Sequence, residues 1–445
     1  MVFSPDRGLS RRLGAIGLAA LILCGLGIAS AWHDQRAQTS SARSPRVEAA
    51  IDAPDPALVA DQARDLSRQH TVLAALNTQT EPFIAGAEGT RTLVLPARAD
   101  SYELAAVAGA VPSAFTRTGT GDLVLMVPLL VAPGATLTVD ADSVPRLLLA
   151  SHAHDYATIS AVRSTVTFVG RADERLEISS FDPDTGQRDA NWRDGRAYLI
   201  TRGGRMTLTD VDVHDLGYGP DGKTSGVAWL PYDSVPPAGD IISSTFSHNY
   251  FGAYPASVIG MHVTDSSFLD NSIYGFDPHT ASSGIVIERS VAARNGRHGF
   301  IFSDGCDGNV VRSTQSFDNG GAGFMIDDGR VDGGLHRPSD HNALVDVTAH
   351  GNGEAGVVIE GGTGNSVEHS TTAGNGGEIV VRGTVADTIL RDNTTGPIVS
   401  SWSWAPVLHD TINVLWAVIL SVPILGTAWA RLRRPRRRAA LTPAR

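Results

Sequence analysis

From Leu123 onward the chain is written in short apolar runs broken by turns: Leu123 to Val131, the turn Pro133-Gly134, Thr136 to Val139, then Leu147 to Ala150. Runs of this length, bounded by turn residues, predict buried β-strands. Further along, apolar positions alternate, as at Phe300 and Phe302 or Phe324 and Ile326, so that one set faces an interior. A longer period lies over this pattern. Asparagine recurs at Asn249, Asn271, Asn295, Asn319, Asn352 and Asn375, at separations of 22, 24, 24, 33 and 23. One coil of a parallel β-helix takes about this many residues, and the 33 predicts an insertion containing Asp332, Gly333, Gly334 and Pro338.

Several of these asparagines open the same phrase: Asn295-Gly-Arg-His-Gly-Phe, Asn319-Gly-Gly-Ala-Gly-Phe and Asn352-Gly-Glu-Ala-Gly-Val. Asparagine tolerates the left-handed backbone of a sharp corner, and its amide can bond to the asparagine of the next coil. The glycine four residues later (Gly275, Gly299, Gly323, Gly356) suits a second corner where a Cβ would clash. The expected fold is all-β: a right-handed parallel β-helix over residues 121–400, with about a dozen coils and a length on the order of 55 Å.

Two longer apolar stretches flank this region. Residues 13–32 follow a basic start, and residues 412–430 precede a basic tail, 431–445. Each is about long enough to cross a bilayer, and the positive-inside rule places both termini in the cytoplasm with the β-helix outside. A cleavable signal peptide is the competing reading of the first stretch, since Ala29, Ser30 and Ala31 form a small-residue site. Residues 33–70 show no apolar periodicity and read as a linker, and 71–120 as an N-terminal cap region. Pro397 and the run Ser400 to Pro406 are expected to close the last coil, with Trp402 and Trp404 at an interfacial belt.

Composition narrows the partners. Glycine is abundant at 47 and aromatics are only 6%, which favours turn-rich β structure. The formal net charge is −11; removing the +2 of residues 1–30 and the +7 of residues 431–445 leaves about −20 outside the membrane. That argues against nucleic acid. The two cysteines, Cys24 and Cys306, are not expected to pair, and neither a metal site nor a cofactor is expected.

Most coils display small polar residues, but two neighbours do not. One reads Asn271-Ser-Ile-Tyr274-Gly-Phe-Asp277-Pro278-His279-Thr280, the next Arg297-His298-Gly299-Phe300-Ile301-Phe302-Ser303-Asp304. The asparagine register stacks Tyr274 on His298, Asp277 on Ile301, His279 on Ser303 and Thr280 on Asp304, with Phe276 and Phe300 inside and Asp277 and His279 pointing outward. Tyrosine, aspartate and two histidines on adjacent coils suit acid/base chemistry. Tyr250, Phe251 and Tyr254, one coil earlier, offer aromatic surface for a sugar. The bland readings stay open: His298 as a turn cap, Tyr274 as a stacked surface ring.

The run from Leu216-Gly-Tyr218 through Asn249-Tyr-Phe-Gly252, Asn271 to His279 and His298 to Ser303 resembles the periplasmic mannuronan C5-epimerases, right-handed β-helices with a Tyr-Gly-x-Asp-Pro-His-Asp motif. The resemblance covers roughly residues 200–360. It implies that His279 removes the C5 proton of a uronate, that Tyr274 lies in the active groove, and that an arginine one coil later neutralises the substrate carboxylate. Abstraction builds a second negative charge on that carboxylate, so a countering cation is physically required.

The chain departs from the pattern at Thr280, where the motif has aspartate, and at Asp304, where arginine follows serine; Asp327 and Asp328 add acids one coil on. An acidic groove repels a polyuronate. The leading expectation is an extracytoplasmic, membrane-anchored, polysaccharide-modifying enzyme of the epimerase/lyase type. His279 is the base, polarised by Asp277, with Tyr274 or His298 as proton donor, and Arg297, Asp304, Tyr250 and Tyr254 contact substrate. A non-catalytic β-helix that binds envelope glycan or assists exopolysaccharide assembly is the alternative from a different class. A hydrolase using Asp277 and Asp304 is a third.

Overall fold

The computed structural model describes residues 56–396, apart from 75, 77–78, 88–89, 154, 220–222 and 330–335. The two apolar stretches at 13–32 and 412–430, the basic tail 431–445 and the closing run Ser400 to Pro406 lie outside the described residues. Among the described residues, no helix is long and apolar enough to cross a membrane.

The apolar runs pair in parallel, each with the equivalent run one coil on. One coil runs Thr158–Val162, Thr165–Val169 and Leu176–Asp182, and these pair with Tyr198–Arg202, Arg205–Thr209 and Val211–His214 of the next. Repetition gives three long faces. The largest is a fourteen-stranded sheet: three of its strands pair antiparallel and the other eleven stack in parallel, from Leu123–Leu125 to Thr394–Thr395. A second face has eleven strands. The third is split into a seven-stranded sheet ending at Tyr254–Pro255 and a four-stranded sheet beginning at Phe300–Phe302. The interior is a continuous apolar column in which like stacks on like: Phe246 on Phe268 at 5.2 Å between ring centres, Phe300 on Phe324 at 5.4 Å.

The asparagine ladder is present, but the asparagine is not the left-handed residue. That conformation falls on the residue before it: His248, Asp270, Arg294 and Asp318, then Gly351 and Gly374 (φ 54° to 67°). The corner turns first, and the asparagine that follows is aimed inward and buried. The Nδ2 atoms of Asn271, Asn295, Asn319 and Asn352 each donate to the Oδ1 of the next ladder residue at 2.9 Å. That same Oδ1 also accepts the backbone N–H of the asparagine below, at 3.0–3.1 Å. Buried amides are thereby satisfied at both ends. A second ladder, Asn309–Asn342–Asn365, runs along another corner with Nδ2···Oδ1 contacts of 2.9 and 3.2 Å. The corner glycines are needed for closeness rather than for φ: a Cβ on Gly275 would lie 2.4 Å from the Gly299 carbonyl oxygen.

The split in the third face positions the site. Between its two halves, the coil Asn271 to Ser283 is joined by isolated bridges: Ala253 to Phe276, Phe276 to Phe300, Ala256 to His279, Ile259 to Ser283 and Ser283 to Asp307. This register puts Pro278 directly over Pro255, and neither has an N–H for the ladder. Their carbonyls still accept, from His279 N at 2.9 Å and from Ser303 N at 3.0 Å. The coils therefore stay stacked while regular strand pairing lapses at the Asp277-Pro-His279 phrase.

Part of the expected linker is ordered. Pro56–Ala74 forms an α-helix, α1, whose Asp65 accepts the Tyr198 hydroxyl at 2.7 Å and whose Gln69 Oε1 accepts from Ser160 Oγ and from Arg202 Nη2 at 2.8 and 2.7 Å. It docks on the seven-stranded sheet by buried polar contacts as much as by Leu58, so apolar periodicity does not betray it. At the same end a second helix, α2 (Leu104–Ala110), contributes Leu104 and Val107 to the interior core.

Candidate functional site

The Phe276–Phe300 bridge has the expected register, and the two unusual coils meet as the asparagine spacing implies. Tyr274 stacks on His298 with ring centres 5.6 Å apart and planes at 8°. Arg297, at the same corner, turns back and donates from Nη1 to the Tyr274 hydroxyl at 2.9 Å. Tyrosine, arginine and histidine thus form one cluster.

His298 is a correction to the expected roles. It is 2% exposed, and its Nδ1 accepts the backbone N–H of Ala322 at 2.8 Å, which fixes the proton on Nε2. Burial, reinforced by Arg297 and Arg382, pushes its pKa down to about 3. The Nδ1 to Glu354 distance of 3.9 Å is therefore not an ion pair. A histidine held neutral near pH 7 cannot serve as an imidazolium acid, and its geometry is that of a platform under Tyr274.

Asp277 and His279 are on the outward face by register, yet neither is displayed: they are 0% and 8% exposed. The direct partner of His279 Nδ1 is Thr280 Oγ1, at 2.6 Å. Thr280 is left-handed (φ 46°), an uncommon state for a β-branched residue that costs about 1–3 kcal/mol. Tyr254 lies against the imidazole, 5.5 Å between ring centres. Tyr250 is also a correction: at 1% exposed it is packed among Phe251 and Trp192 and is not a free sugar platform. Rings connect the two groups. His279 meets Tyr254, Tyr254 meets Phe251 at 6.1 Å, and Phe251 meets Tyr274 at 4.9 Å.

Asp304 sits one coil above Thr280, buried and left-handed at φ 61°. The insertion reaches it from the coil above. Arg337 donates from its backbone N at 3.4 Å, from Nε at 3.5 Å and from Nη2 at 3.3 Å. Burial raises the Asp304 pKa, but Arg337 and, more weakly, His279 outweigh it and hold the carboxyl below its usual range. Asp327 accepts from Ser303 Oγ at 2.8 Å and from Gly329 N at 2.9 Å, bracing the base of the insertion. The register already put Thr280 under Asp304, but the sequence offered no sign of Arg337 as a neighbour beyond the anomalous 33-residue coil.

A separate cleft of about 650 Å3 lies on the fourteen-stranded sheet and is lined by Arg117, Arg146, Glu177, Arg188 and His214 among others. Most of its charges are paired: Arg146 Nε to Glu177 at 2.9 Å, Arg188 to Asp215 at 3.1 Å, His214 between Glu177 (3.2 Å) and Asp215 (2.7 Å), while Arg117 donates to the Gly121 carbonyl. It is a brace for the sheet.

A family profile described as "Right handed beta helix region" matches residues 238–395. The chain is 29% identical over 202 residues to the mannuronan C5-epimerase AlgG of Azotobacter vinelandii, covering 42% of this chain and 36% of that protein. It is 27% identical over 215 residues to the mannuronan C5-epimerase of Pseudomonas aeruginosa, covering 45% and 37%. The match thus spans little more than a third of these relatives' own length. The crystal structure of a double mutant of the periplasmic alginate epimerase AlgG superimposes with a TM-score of 0.58 at 17% identity, over 70% of this chain and 75% of that one. That likeness shows the fold. By profile, by partial sequence identity and by architecture, the chain is a right-handed parallel β-helix resembling the mannuronan C5-epimerases.

Proposed function

We propose that this protein is a polysaccharide-modifying enzyme that removes the C5 proton of a uronate residue, acting outside the cytoplasm and tethered by its terminal apolar stretches. The observation that carries this reading is the ring-to-ring run from His279 through Tyr254 and Phe251 to Tyr274, with Arg297 on the Tyr274 hydroxyl. The run links an imidazole, a phenolic hydroxyl and a guanidinium, and Tyr274, expected as a surface ring, is itself fully buried in it.

In this reading His279 Nε2 takes the C5 proton, and the electron pair passes into the carboxylate. A guanidinium must meet the charge that develops there, and Arg297 is the candidate beside Tyr274. Return of a proton to the opposite face of C5, from Tyr274, completes epimerisation. Loss of the C4 oxygen substituent instead gives an unsaturated residue and a new chain end, the lyase outcome. Asp277, two residues before His279 and fully buried, shapes the base's surroundings. The likeness to mannuronan C5-epimerases supports a uronate as the sugar.

Incubating the protein with polymannuronate in deuterated water is the test. Deuterium at C5, lost in His279→Gln, is the expected result. The absence of both label and unsaturated product would overturn the polyuronate reading. The acids Asp304, Asp327 and Asp328 favour a second reading, a glycan-binding β-helix without catalysis. Glycan-array binding unchanged by His279→Ala and Asp277→Ala, with no turnover, is its signature.

A further inference from the structure

Twenty-three non-glycine residues among those described have positive φ, and they are mostly aspartate, serine, arginine and histidine. Thr280 is the one β-branched residue in the set. Its counterpart one coil up is Asp304, a residue type that adopts this conformation more readily. The strain at 280 is held in place from several sides: Ser257 Oγ donates to the Thr280 carbonyl at 2.8 Å, Ser282 Oγ to the His279 carbonyl at 2.9 Å, and Ala281 N to the Asp304 carbonyl at 3.0 Å. A strained residue kept where a cheaper one fits points to a job for its side chain. Thr280 Oγ1 makes one short contact, with His279 Nδ1 at 2.6 Å.

A hydroxyl can donate to Nδ1 or accept from it, and the choice decides where the other nitrogen's lone pair is. With Nδ1–H donating to Oγ1, Nε2 is left unprotonated. Tyr254 packs against the imidazole, and Asp304, one coil above with Arg337 beyond it, is coupled to it electrostatically; Asp277 is two residues before it in the chain. Thr280 Oγ1, in direct contact with Nδ1, is neutral.

We propose that Thr280 is a positioning residue: its strained backbone aims Oγ1 to accept from His279 Nδ1, which leaves Nε2 unprotonated as the base. This rests on His279 being the base.

The test is long-range 1H–15N NMR of the full chain labelled at histidine, with His279 assigned through His279→Gln. The wild-type protein is expected to show the Nδ1–H tautomer for neutral His279. Thr280→Ser keeps it. Thr280→Val, equally branched and nearly isosteric, loses it in favour of Nε2–H. Thr280→Asp moves the His279 titration midpoint up by about one pH unit or more, because a carboxylate favours the imidazolium. The Nε2–H tautomer in the wild type, or a tautomer unchanged in Thr280→Val, overturns the proposal. Absence of C5 labelling overturns the enzymatic reading alone, since the tautomer is measured without substrate.

Discussion

Replacing Arg337 by alanine removes a guanidinium from a carboxylate that stays buried beside His279. At the 3.3 Å separation of Nη2 from Asp304 Oδ2, the pair attracts by about 5 kcal/mol at an effective dielectric of 20 and by about 1.3 kcal/mol in bulk water. The arginine side chain is 42% exposed and all three contacts are at the long end for hydrogen bonds, so solvent screening brings the expected coupling to about 1–2 kcal/mol. A double-mutant cycle of Arg337→Ala with Asp304→Asn isolates it, because asparagine keeps the shape and the tolerance of φ 61°. Urea unfolding supplies the four free energies. A coupling below about 0.3 kcal/mol would refute the idea that the insertion is pinned by this pair. The same cycle has a second readout: with Arg337 gone, Asp304 acts on His279 less shielded, and the histidine titrates at higher pH.

Further outcomes follow from other parts of the molecule. Asn295→Ala takes the acceptor from Asn271 N and the donor from the Phe268 carbonyl; with about 1–3 kcal/mol per buried group left unmatched, a loss of about 2–5 kcal/mol is expected, together with faster exchange of the Asn271 amide. Gly299→Ala would put a Cβ 2.1 Å from Ser316 Oγ and 2.7 Å from the Gly323 carbonyl oxygen, and is expected to abolish cooperative folding as followed by circular dichroism. His214 tests pH dependence: burial lowers its pKa, but hydrogen bonds to Asp215 and Glu177 outweigh this and raise it to about 9. A raised folded-state pKa stabilises fully below about pH 6.5 and is lost as pH climbs through about 9, so roughly 2–3 kcal/mol should disappear across that window in the wild type and not in His214→Gln. Urea midpoints at pH 6 and pH 9.5 decide it.

The repeat was legible because a buried amide ladder demands asparagine at a fixed spacing, and few other residues can fill that place. The second ladder is less visible, although Asn309, Asn342 and Asn365 are spaced by 33 and 23, the same intervals as their neighbours in the first. A third corner is harder still to see, because the Oγ acceptors of Ser266, Ser290 and Thr314 do the same work with residues common everywhere. Helix α1 was hidden for another reason: Asp65 and Gln69 are buried by tyrosine and arginine partners more than 90 residues away in sequence. At the site, register alone placed Tyr274 on His298. Burial does not follow from register: Asp277 and His279 face outward and are nonetheless covered. Nor did the spacing show that His298 spends its Nδ1 on a backbone amide, or that Arg337 returns to Asp304 from the next coil.

The ladder amides of Asn271, Asn295, Asn319 and Asn352 point the same way, with oxygen toward the earlier coil and nitrogen toward the later one. Side-chain dipoles add head to tail along the axis, as peptide dipoles do in a helix, and the column has a positive pole at its late end. There Asn375 Nδ2 donates to the Glu378 carboxylate at 3.0 Å. The ladder therefore has a sense of direction. A duplicated coil slipped into its middle finds donors and acceptors ready on both sides, whereas a coil added beyond Asn375 meets a column already terminated by an anion.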